Sequence, residues 1–422
     1  MKDNTIAVQF GYDKGQDGSM SVPIFQTTAY EFRDSEHAAN LFELKELGNI
    51  YTRLMNPTTD VFEKRFCALE QGAGAVATAS GTAAIFYTFA NVAEVGDNIL
   101  VAKQAYGGTV TMAGHTIKRF GIEARFFDIF NLEELEKQID DKTKIIFFET
   151  IPNPAIEIAD IDAIVEIANR HNIILCVDNT VATPVLCKPL SLGADVVVHS
   201  VSKYANGNGS AIGGIVIESK DIGKKIVGNS RYKHFNEPDL SYHGLVYSSL
   251  PMPYFTLRIR LSLLRDLGGA PSPFNSWLNI QGLETLPLRM VQHSNSALEI
   301  AKFLEAHPKV KQVNYPGLES SKSYANAQKY LKDGKASGLL SFVVDSKENA
   351  QKVAENTKIF SLVVNIGDSK SIITHPASTT HQQLSKEELE NAGVPEGLIR
   401  LSVGLEDTSD LIEDLKCALD LI

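Results

Sequence analysis

From about residue 59 onward, short apolar runs alternate with stretches that have helical spacing of apolar residues. The helical patterns include 131–139 and 161–171, and the runs at 145–148 and 196–198 are apolar without interruption, which is typical of strands buried on both faces. The alternation predicts an α/β fold with a largely parallel sheet covered by helices. The predicted strands of this sheet are 75–79, 98–102, 124–127, 144–149, 173–178, 195–199 and 214–218.

The two ends of the chain depart from this rhythm. Residues before about 59 lack it, and we expect them to form an extended arm. A long helical pattern at 277–304 contains Gly282 and Pro287, which predict kinks. Beyond it, apolar runs predict strands at 338–344 and 398–403. We therefore expect an N-terminal arm, which could reach a neighbouring subunit, a large domain and a smaller α+β domain, at 1–58, 59–288 and 289–422.

Composition excludes several classes of function. The 422 residues are 44% hydrophobic and 22% charged, with a net charge of −11 and no dense block of Lys and Arg. Non-specific binding to nucleic acid or to an anionic membrane needs such a block, so neither partner is expected. The N-terminus has no apolar signal region, no apolar stretch approaches a membrane span, and the four cysteines lack C-x-x-C spacing. These features favour a reducing, cytoplasmic compartment.

Polar residues follow four of the predicted strands. Ser80, Glu149, Asp178 and Ser200 stand at or just after the strand ends. Ligands of open α/β sheets bind beyond the carboxyl ends of the strands. We therefore expect these residues to share one pocket.

Lys203 lies in a glycine-rich loop three residues after Ser200. A lysine at a buried strand end can supply a Schiff base, and an acid such as Asp178 can keep a pyridine nitrogen protonated so that the ring accepts electrons. Together they predict a site for pyridoxal 5′-phosphate (PLP). Taken alone, Lys203 would be interpreted as a surface lysine in a glycine-rich loop, and the combination with Asp178 and the features below favours the PLP site instead.

The segment Ser80-Gly81-Thr82 follows a predicted strand and opens a predicted helix. Backbone N–H groups at a helix start can bind an anion, and a glycine allows close approach. The hydroxyl groups of Ser200 and Ser202 could donate to the same phosphate. The alternative is that Ser80 only caps the helix.

Two tyrosines and an arginine are further candidates. Tyr106, in a glycine turn, could stack on a flat ring and transfer protons, or could be a core tyrosine. Tyr51 and Arg53 lie in the arm, where Arg53 could reach a phosphate in a neighbouring subunit or remain a solvated surface residue.

Arg400 lies in an otherwise apolar strand, where a charge is rarely left unpaired. A substrate carboxylate or an internal salt bridge would satisfy it. Asn153 follows a strand end and could contact the cofactor or only shape the turn.

His375 and His381 lack carboxylate or cysteine partners at ligand spacing, so structural roles are favoured and no metal site is expected.

Seven ordered motifs together resemble the Cys/Met-metabolism family of PLP enzymes. They are YTRLMNPT, ASGTAA, AYGGT, ETIPNP, CVDNT, HSVSKYANGNGSAIGG and IRLSVGLE. The resemblance implies a PLP-dependent transferase fold, similar to type I aminotransferases, and a homotetramer built as a dimer of dimers.

The resemblance also implies a role for each matching residue. Lys203 would bind PLP covalently, Asp178 would pair with the ring nitrogen, and Tyr106 would stack on the ring. Arg400 would bind the substrate α-carboxylate, with Asn153 contacting both that group and the cofactor. The residues implied to line the phosphate pocket are Ser80, Gly81, Thr82, Ser200 and Ser202, with Tyr51 and Arg53 from the adjacent subunit.

Within this family, three features favour the O-acetylhomoserine sulfhydrylase branch, which makes L-homocysteine and acetate in methionine biosynthesis. Methionine γ-lyases have a cysteine at the place of Gly108. The segment 219–273 is similar to the longer sulfhydrylases. Asn365, which we expect at the substrate, stands where the lyases usually have serine.

The alternatives are γ-elimination by a methionine γ-lyase, γ-replacement by a cystathionine γ-synthase and a non-catalytic PLP-binding module. The sulfur donor and the acyl group of the ester stay open.

Overall fold

The computed structural model describes residues 1–15, 18–379 and 393–422. Within these ranges a seven-stranded sheet has the order β1-β7-β6-β5-β4-β2-β3. Its strands are β1 (Gly74–Thr78), β2 (Asn98–Ala102), β3 (Glu123–Phe127), β4 (Thr143–Glu149), β5 (Ile174–Asp178), β6 (Val196–Ser200) and β7 (Gly214–Glu218). The seven strands predicted from the sequence are confirmed, with ends that differ by no more than one residue.

The sheet is mostly parallel, as predicted. The exception is β7, which runs antiparallel to both β6 and β1. Residues that alternate along each strand belong to different sides of the sheet. Ile146 and Phe148 of β4 pack into one core and Ile145 and Phe147 into another. The sheet is therefore buried on both faces, which explains the uninterrupted apolar runs.

Helices cover both faces and form the connections. They are α1 (Asp3–Gln9), α2 (Ser35–Phe42), α3 (Pro57–Glu70), α4 (Gly81–Val92), α5 (Gly107–Thr111), α6 (Leu132–Lys137), α7 (Ile161–Arg170), α8 (Thr183–Leu186), α9 (Gly223–Ile226), α10 (Lys233–Asn236), α11 (Tyr254–Arg258), α12 (Arg265–Leu267), α13 (Pro273–Glu305), α14 (Tyr324–Tyr330), α15 (Lys347–Asn356) and α16 (Thr408–Leu419).

The N-terminal segment contains more regular structure than expected. The extended arm predicted for residues before 59 includes helices α1 and α2. Helix α1 packs against α3 and α13 because Ile6 and Ala7 turn into the main core. Only two buried side chains fix this short helix, and they are too few to produce a visible apolar period in the sequence.

A second sheet lies in the C-terminal part of the chain. Among the described residues it has five strands in the order β10-β11-β12-β9-β8. These are β8 (Gln312–Asn314), β9 (Leu339–Val343), β10 (Ser361–Leu362), β11 (Ile372–Thr374) and β12 (Leu398–Ser402). Helix α13 joins the two sheets and continues without interruption through Gly282 and Pro287, where kinks were predicted. Its buried face shares one continuous core with both sheets.

None of the helices in the described ranges is both long enough and apolar enough to cross a membrane.

Candidate active site

The carboxyl ends of the parallel strands bring acidic residues together, as the sequence predicted. Glu149 ends β4 and Asp178 ends β5, and the two residues are paired in register. Both are buried. Cys176 and Phe147, two positions earlier, belong to the same core, so both carboxyl groups point to the same face of the sheet.

Asp178 is held by a threonine that the sequence analysis did not select. The Thr180 backbone N–H and hydroxyl both donate to Asp178 Oδ1, at 2.9 and 2.5 Å. Burial raises the pKa of Asp178, and these two hydrogen bonds oppose the rise. Thr180 Oγ1 also accepts a hydrogen bond from the Ser200 backbone N–H at 2.8 Å. One threonine thus connects the acid of β5 to the end of β6.

The predicted anion cradle lies beside Ser200. Helix α4 begins at Gly81, and the Ser80 hydroxyl accepts a hydrogen bond from the Ala83 N–H at 3.1 Å. Ser80 is therefore the N-cap of the helix, which leaves its own hydroxyl proton for another acceptor. A Cβ atom on Gly81 would lie 2.5 Å from Ser200 Cβ, so only glycine allows the helix start to approach β6 this closely.

Lys203 reaches from the large sheet to a loop of the smaller one. Its Nζ atom donates a hydrogen bond to Asn365 Oδ1 at 2.5 Å. Burial lowers the pKa of Lys203, and the charge of Arg400 lowers it further. Both effects increase the fraction of neutral amine, the form that can accept a proton or attack a carbonyl carbon.

Arg400 is buried on β12 without an acidic partner among the described residues. Its two terminal nitrogens donate to Asn153 Oδ1, the Asn365 carbonyl oxygen and Thr374 Oγ1, at 3.0, 3.0 and 3.3 Å. Among the described residues its buried Nε atom has no hydrogen-bond partner, and burial lowers the pKa of Arg400 to about 10. Within the same ranges no carboxylate contacts the guanidinium group, so the alternative of an internal salt bridge is not seen there.

Tyr106 lies in the turn before helix α5. The residue is about half exposed, at 51%, so it is not a core tyrosine. The edge of the ring lies against Gly108, where an added Cβ atom would be 2.5 Å from Tyr106 Cε1. Its backbone N–H donates to Glu149 Oε1 at 2.5 Å.

The structure does not bring every predicted residue into this network. Tyr51 and Arg53 are exposed and contact each other, with the guanidinium carbon 5.3 Å from the ring centre. Ser202 exchanges hydrogen bonds with the backbone of Gly213. Thr82 is exposed at the start of α4. The cofactor contacts expected of these four residues stay predictions.

Sequence reasoning missed Thr180 and Thr374 and gave Glu149 no role. The signal for Thr180 was available, because a residue two positions after an aspartate often donates to its side chain. The signal for Glu149 was its place at a strand end like that of Asp178. For Thr374 we find no sequence signal, since its contact with Arg400 depends on the pairing of β11 with β12.

Both ring nitrogens of His375 take part in hydrogen bonds within the protein, which is typical of a structural histidine. Its two ring nitrogens contact Ser378 Oγ and the Glu396 carbonyl oxygen, both at 2.7 Å. His381 lies outside the described residues. In the ranges that the structure describes, no cluster of three or more His, Cys, Asp or Glu residues could hold a metal ion.

Comparison with known proteins gives consistent matches over the whole chain. Residues 4–420 match the family model described as Cys/Met metabolism PLP-dependent enzyme. The chain is 46% identical to O-acetyl-L-homoserine sulfhydrylase from Leptospira meyeri, over 99% of this chain and 96% of that protein. It is 43% identical to homocysteine synthase from Schizosaccharomyces pombe, over 96% of this chain and 94% of that protein.

Solved structures agree with these matches. A Campylobacter jejuni protein classed as an O-acetylhomoserine (thiol)-lyase, which contains N′-pyridoxyl-lysine-5′-monophosphate, superposes with a TM-score of 0.98. It is 50% identical, and the match covers 100% of both chains. The metB protein of Corynebacterium glutamicum superposes with a TM-score of 0.86 at 32% identity, over 100% of this chain and 98% of that one.

Proposed function

The chain belongs to the Cys/Met-metabolism PLP-dependent enzymes, and we propose from this premise that it is an O-acetyl-L-homoserine sulfhydrylase. It would replace the acetate group of O-acetyl-L-homoserine by sulfur and produce L-homocysteine. One observation carries the proposal. The amine of Lys203 and the guanidinium group of Arg400 meet at Asn365, and no acid in the described part of the chain neutralises the arginine. A buried cation in these surroundings favours a carboxylate-bearing ligand.

The residues at the strand ends match the polar groups of PLP. Its phosphate would bind at the start of α4 and at the Ser200 hydroxyl, which Gly81 allows to lie close together. Its ring nitrogen would pair with Asp178, whose Oδ2 atom accepts no hydrogen bond from the described residues. Its aldehyde carbon would meet the amine of Lys203. Ser80, Thr82, Ser202 and Asn153 complete the proposed set of cofactor contacts.

When bound, PLP supplies a positively charged ring that withdraws electron density from the substrate carbon next to the amino group. The protein must then move protons and fix orientation. Lys203, once freed as a neutral amine, would take the proton from the substrate Cα and later one from Cβ. In the structure this amine donates a hydrogen bond to Asn365 Oδ1.

Binding of the amino acid would be the role of Arg400. A carboxylate can accept two parallel hydrogen bonds from a guanidinium group, and the Nε atom of Arg400, which has no partner among the described residues, offers one donor. Asn153 would share this carboxylate, as its Oδ1 atom already contacts the arginine. Fixed orientation places Cα near Lys203, and correct placement is where a large part of the rate arises.

Departure of acetate breaks the Cγ–O bond, and a sulfur nucleophile then forms the new bond at Cγ. We propose that the Tyr106 hydroxyl donates a proton to the leaving group.

We further propose a cytoplasmic homotetramer in which residues 1–58 reach a neighbouring subunit, with a large domain at 59–288 and a smaller one at 289–422. The exposure of Tyr51 and Arg53 in a single chain supports this assignment. Those two side chains would complete the phosphate and substrate contacts of the neighbour. Three of the four cysteines are buried thiols, which is consistent with a reducing compartment.

The test is a turnover assay with purified enzyme, using acetyl and succinyl esters of homoserine with sulfide, methanethiol and cysteine as donors. Homocysteine and acetate are expected from the acetyl ester and sulfide. Formation of 2-oxobutanoate and ammonia as main products would instead identify a γ-lyase. Borohydride should leave the cofactor attached to Lys203, and Lys203→Ala should lower turnover by at least 10³-fold.

A further inference from the structure

Glu149 is a buried acid to which the proposed chemistry gives no role. It is 7% exposed and stands beside Asp178 at the end of the neighbouring strand, on the same face of the sheet. Two buried carboxyl groups in adjoining positions repel each other when both are ionised. A second acid at this place therefore needs a reason other than stability.

The contacts of Glu149 lead to the loop that carries Tyr106. Glu149 Oε1 accepts the hydrogen bond from the Tyr106 backbone N–H, and the backbone N–H of Asn153 also interacts with this carboxyl group. Both contacts are with main-chain atoms of residues proposed to touch cofactor or substrate. Glu149 thus contacts the backbone of two of the proposed ligand-binding residues.

The ring of Tyr106 depends on its backbone for its position. The residue is half exposed, its phenol oxygen makes no hydrogen bond with the described residues, and an edge of its ring lies against Gly108. Helix α5 begins directly after it, and the Thr109 and Val110 N–H groups donate to the Tyr106 carbonyl oxygen. On the amide side of residue 106, the hydrogen bond to Glu149 holds the backbone.

A neutral carboxyl group suits such a task. Burial and the negative charge of Asp178 raise the pKa of Glu149 well above its ordinary value. The neutral form retains an oxygen that accepts the Tyr106 N–H and places no second charge next to Asp178. Glutamine has the same length and the same acceptor oxygen, whereas aspartate keeps the acid and is one methylene shorter.

We propose that Glu149 is a positioning residue for Tyr106, whose buried carboxyl oxygen fixes the backbone at residue 106 and thereby the ring above the reacting atoms. Its effect on turnover rests on the proposed sulfhydrylase function. Its effect on the Tyr106 loop does not depend on that function.

The experiment compares Glu149→Gln and Glu149→Asp in the PLP-loaded enzyme. Amide hydrogen exchange of the peptide 103–112 should be about tenfold or more faster in Glu149→Asp, since its acid cannot reach the Tyr106 N–H. Glu149→Gln should exchange like the wild type.

Steady-state kinetics with acetylhomoserine are the second measurement. The kcat should fall at least tenfold in Glu149→Asp, with a smaller change in KM, and Glu149→Gln should have the kcat of the wild type. Glu133→Ala, at an exposed position of α6, is the control.

Unchanged exchange in Glu149→Asp would overturn the proposal, as would an equal defect in both variants. If Glu149→Asp fails to fold, Glu149→Gln still decides, because loss of wild-type exchange in this variant contradicts the proposed role. A wild-type enzyme without sulfhydrylase turnover would refute the proposed function alone. The exchange comparison would then still test the positioning role.

Discussion

The Nζ atom of Lys203 and the Oδ1 atom of Asn365 lie 2.5 Å apart and join the large sheet to a loop of the smaller sheet. The same asparagine receives Arg400 at its backbone carbonyl oxygen. One residue therefore holds the proposed base by its side chain and the proposed carboxylate-binding group by its backbone. These two functions can be separated by mutation.

Asn365→Ala should remove the contact with Lys203 and retain the carbonyl oxygen that Arg400 uses. We expect kcat to fall about tenfold to a hundredfold because the amine loses its fixed position, while KM for acetylhomoserine changes less than about threefold. Steady-state kinetics with the acetyl ester and sulfide measure both. Asn208→Ala, in the nearby glycine-rich loop, should behave like the wild type. A raised KM with unchanged kcat would show that the side chain binds substrate instead.

Arg400→Lys should keep a positive charge and lose the forked set of donors to Asn153, Asn365 and Thr374. Because a lysine ammonium group cannot reproduce two parallel hydrogen bonds to a carboxylate, kcat/KM for the amino-acid ester should fall about a hundredfold or more. The loss should be the same for acetyl and succinyl esters, since both carry the same α-carboxylate. The KM for sulfide is the internal control and should stay within about twofold. A loss confined to one ester would place Arg400 at the acyl group.

Gly108→Ala should displace the ring of Tyr106. The added Cβ atom would lie 2.5 Å from Tyr106 Cε1, whereas a Cβ atom on Gly107 meets nothing within 4 Å. The two substitutions therefore form a matched pair in the same turn. We expect about a tenfold loss of kcat for Gly108→Ala, of the size seen when a proton donor is misplaced, and almost none for Gly107→Ala. Equal effects of both variants would show that the turn, and not the ring, was disturbed.

The sequence was sufficient for the large sheet because its strands are buried on both faces. Runs such as those around Phe147 and Val197 are apolar at every position. They therefore differ from the spaced apolar residues of an amphipathic helix of similar length. The residues that end these strands, including Asp178 and Ser200, followed from the topology rule for parallel sheets. The same apolar runs therefore predicted both where the strands end and which polar residues lie at the candidate site.

The contacts between the two sheets could not be predicted in the same way. Lys203 and Asn365 are 162 positions apart, and β10, the strand nearest to Asn365, has two exposed residues and no apolar signal. The register of β12 with β11 decides that Thr374 meets Arg400, and a one-residue slip would turn that arginine to the other face. Only the resemblance to a known family placed Asn365 at the substrate.

A last prediction concerns stability and not turnover. Glu218 ends β7, is buried, and accepts hydrogen bonds from the backbone N–H groups of Phe255 and Thr256 and from the Thr256 hydroxyl. Burial nevertheless raises the pKa of Glu218 from 4.5 to about 7. Between these two values the unfolded chain has lost a proton that the folded chain retains. The stabilisation that this group contributes to the folded state is therefore largest below pH 4.5. It is lost as the pH rises to 7, at about 1.4 kcal/mol for each pH unit.

Replacing Glu218 by a neutral residue should remove this pH dependence. Unfolding of the PLP-loaded wild type and of Glu218→Gln should be compared at pH 5 and pH 8. From pH 5 to pH 8 the variant should gain about 2 kcal/mol relative to the wild type. A constant difference between the two proteins across this range would mean that Glu218 ionises in the folded state at its ordinary pKa.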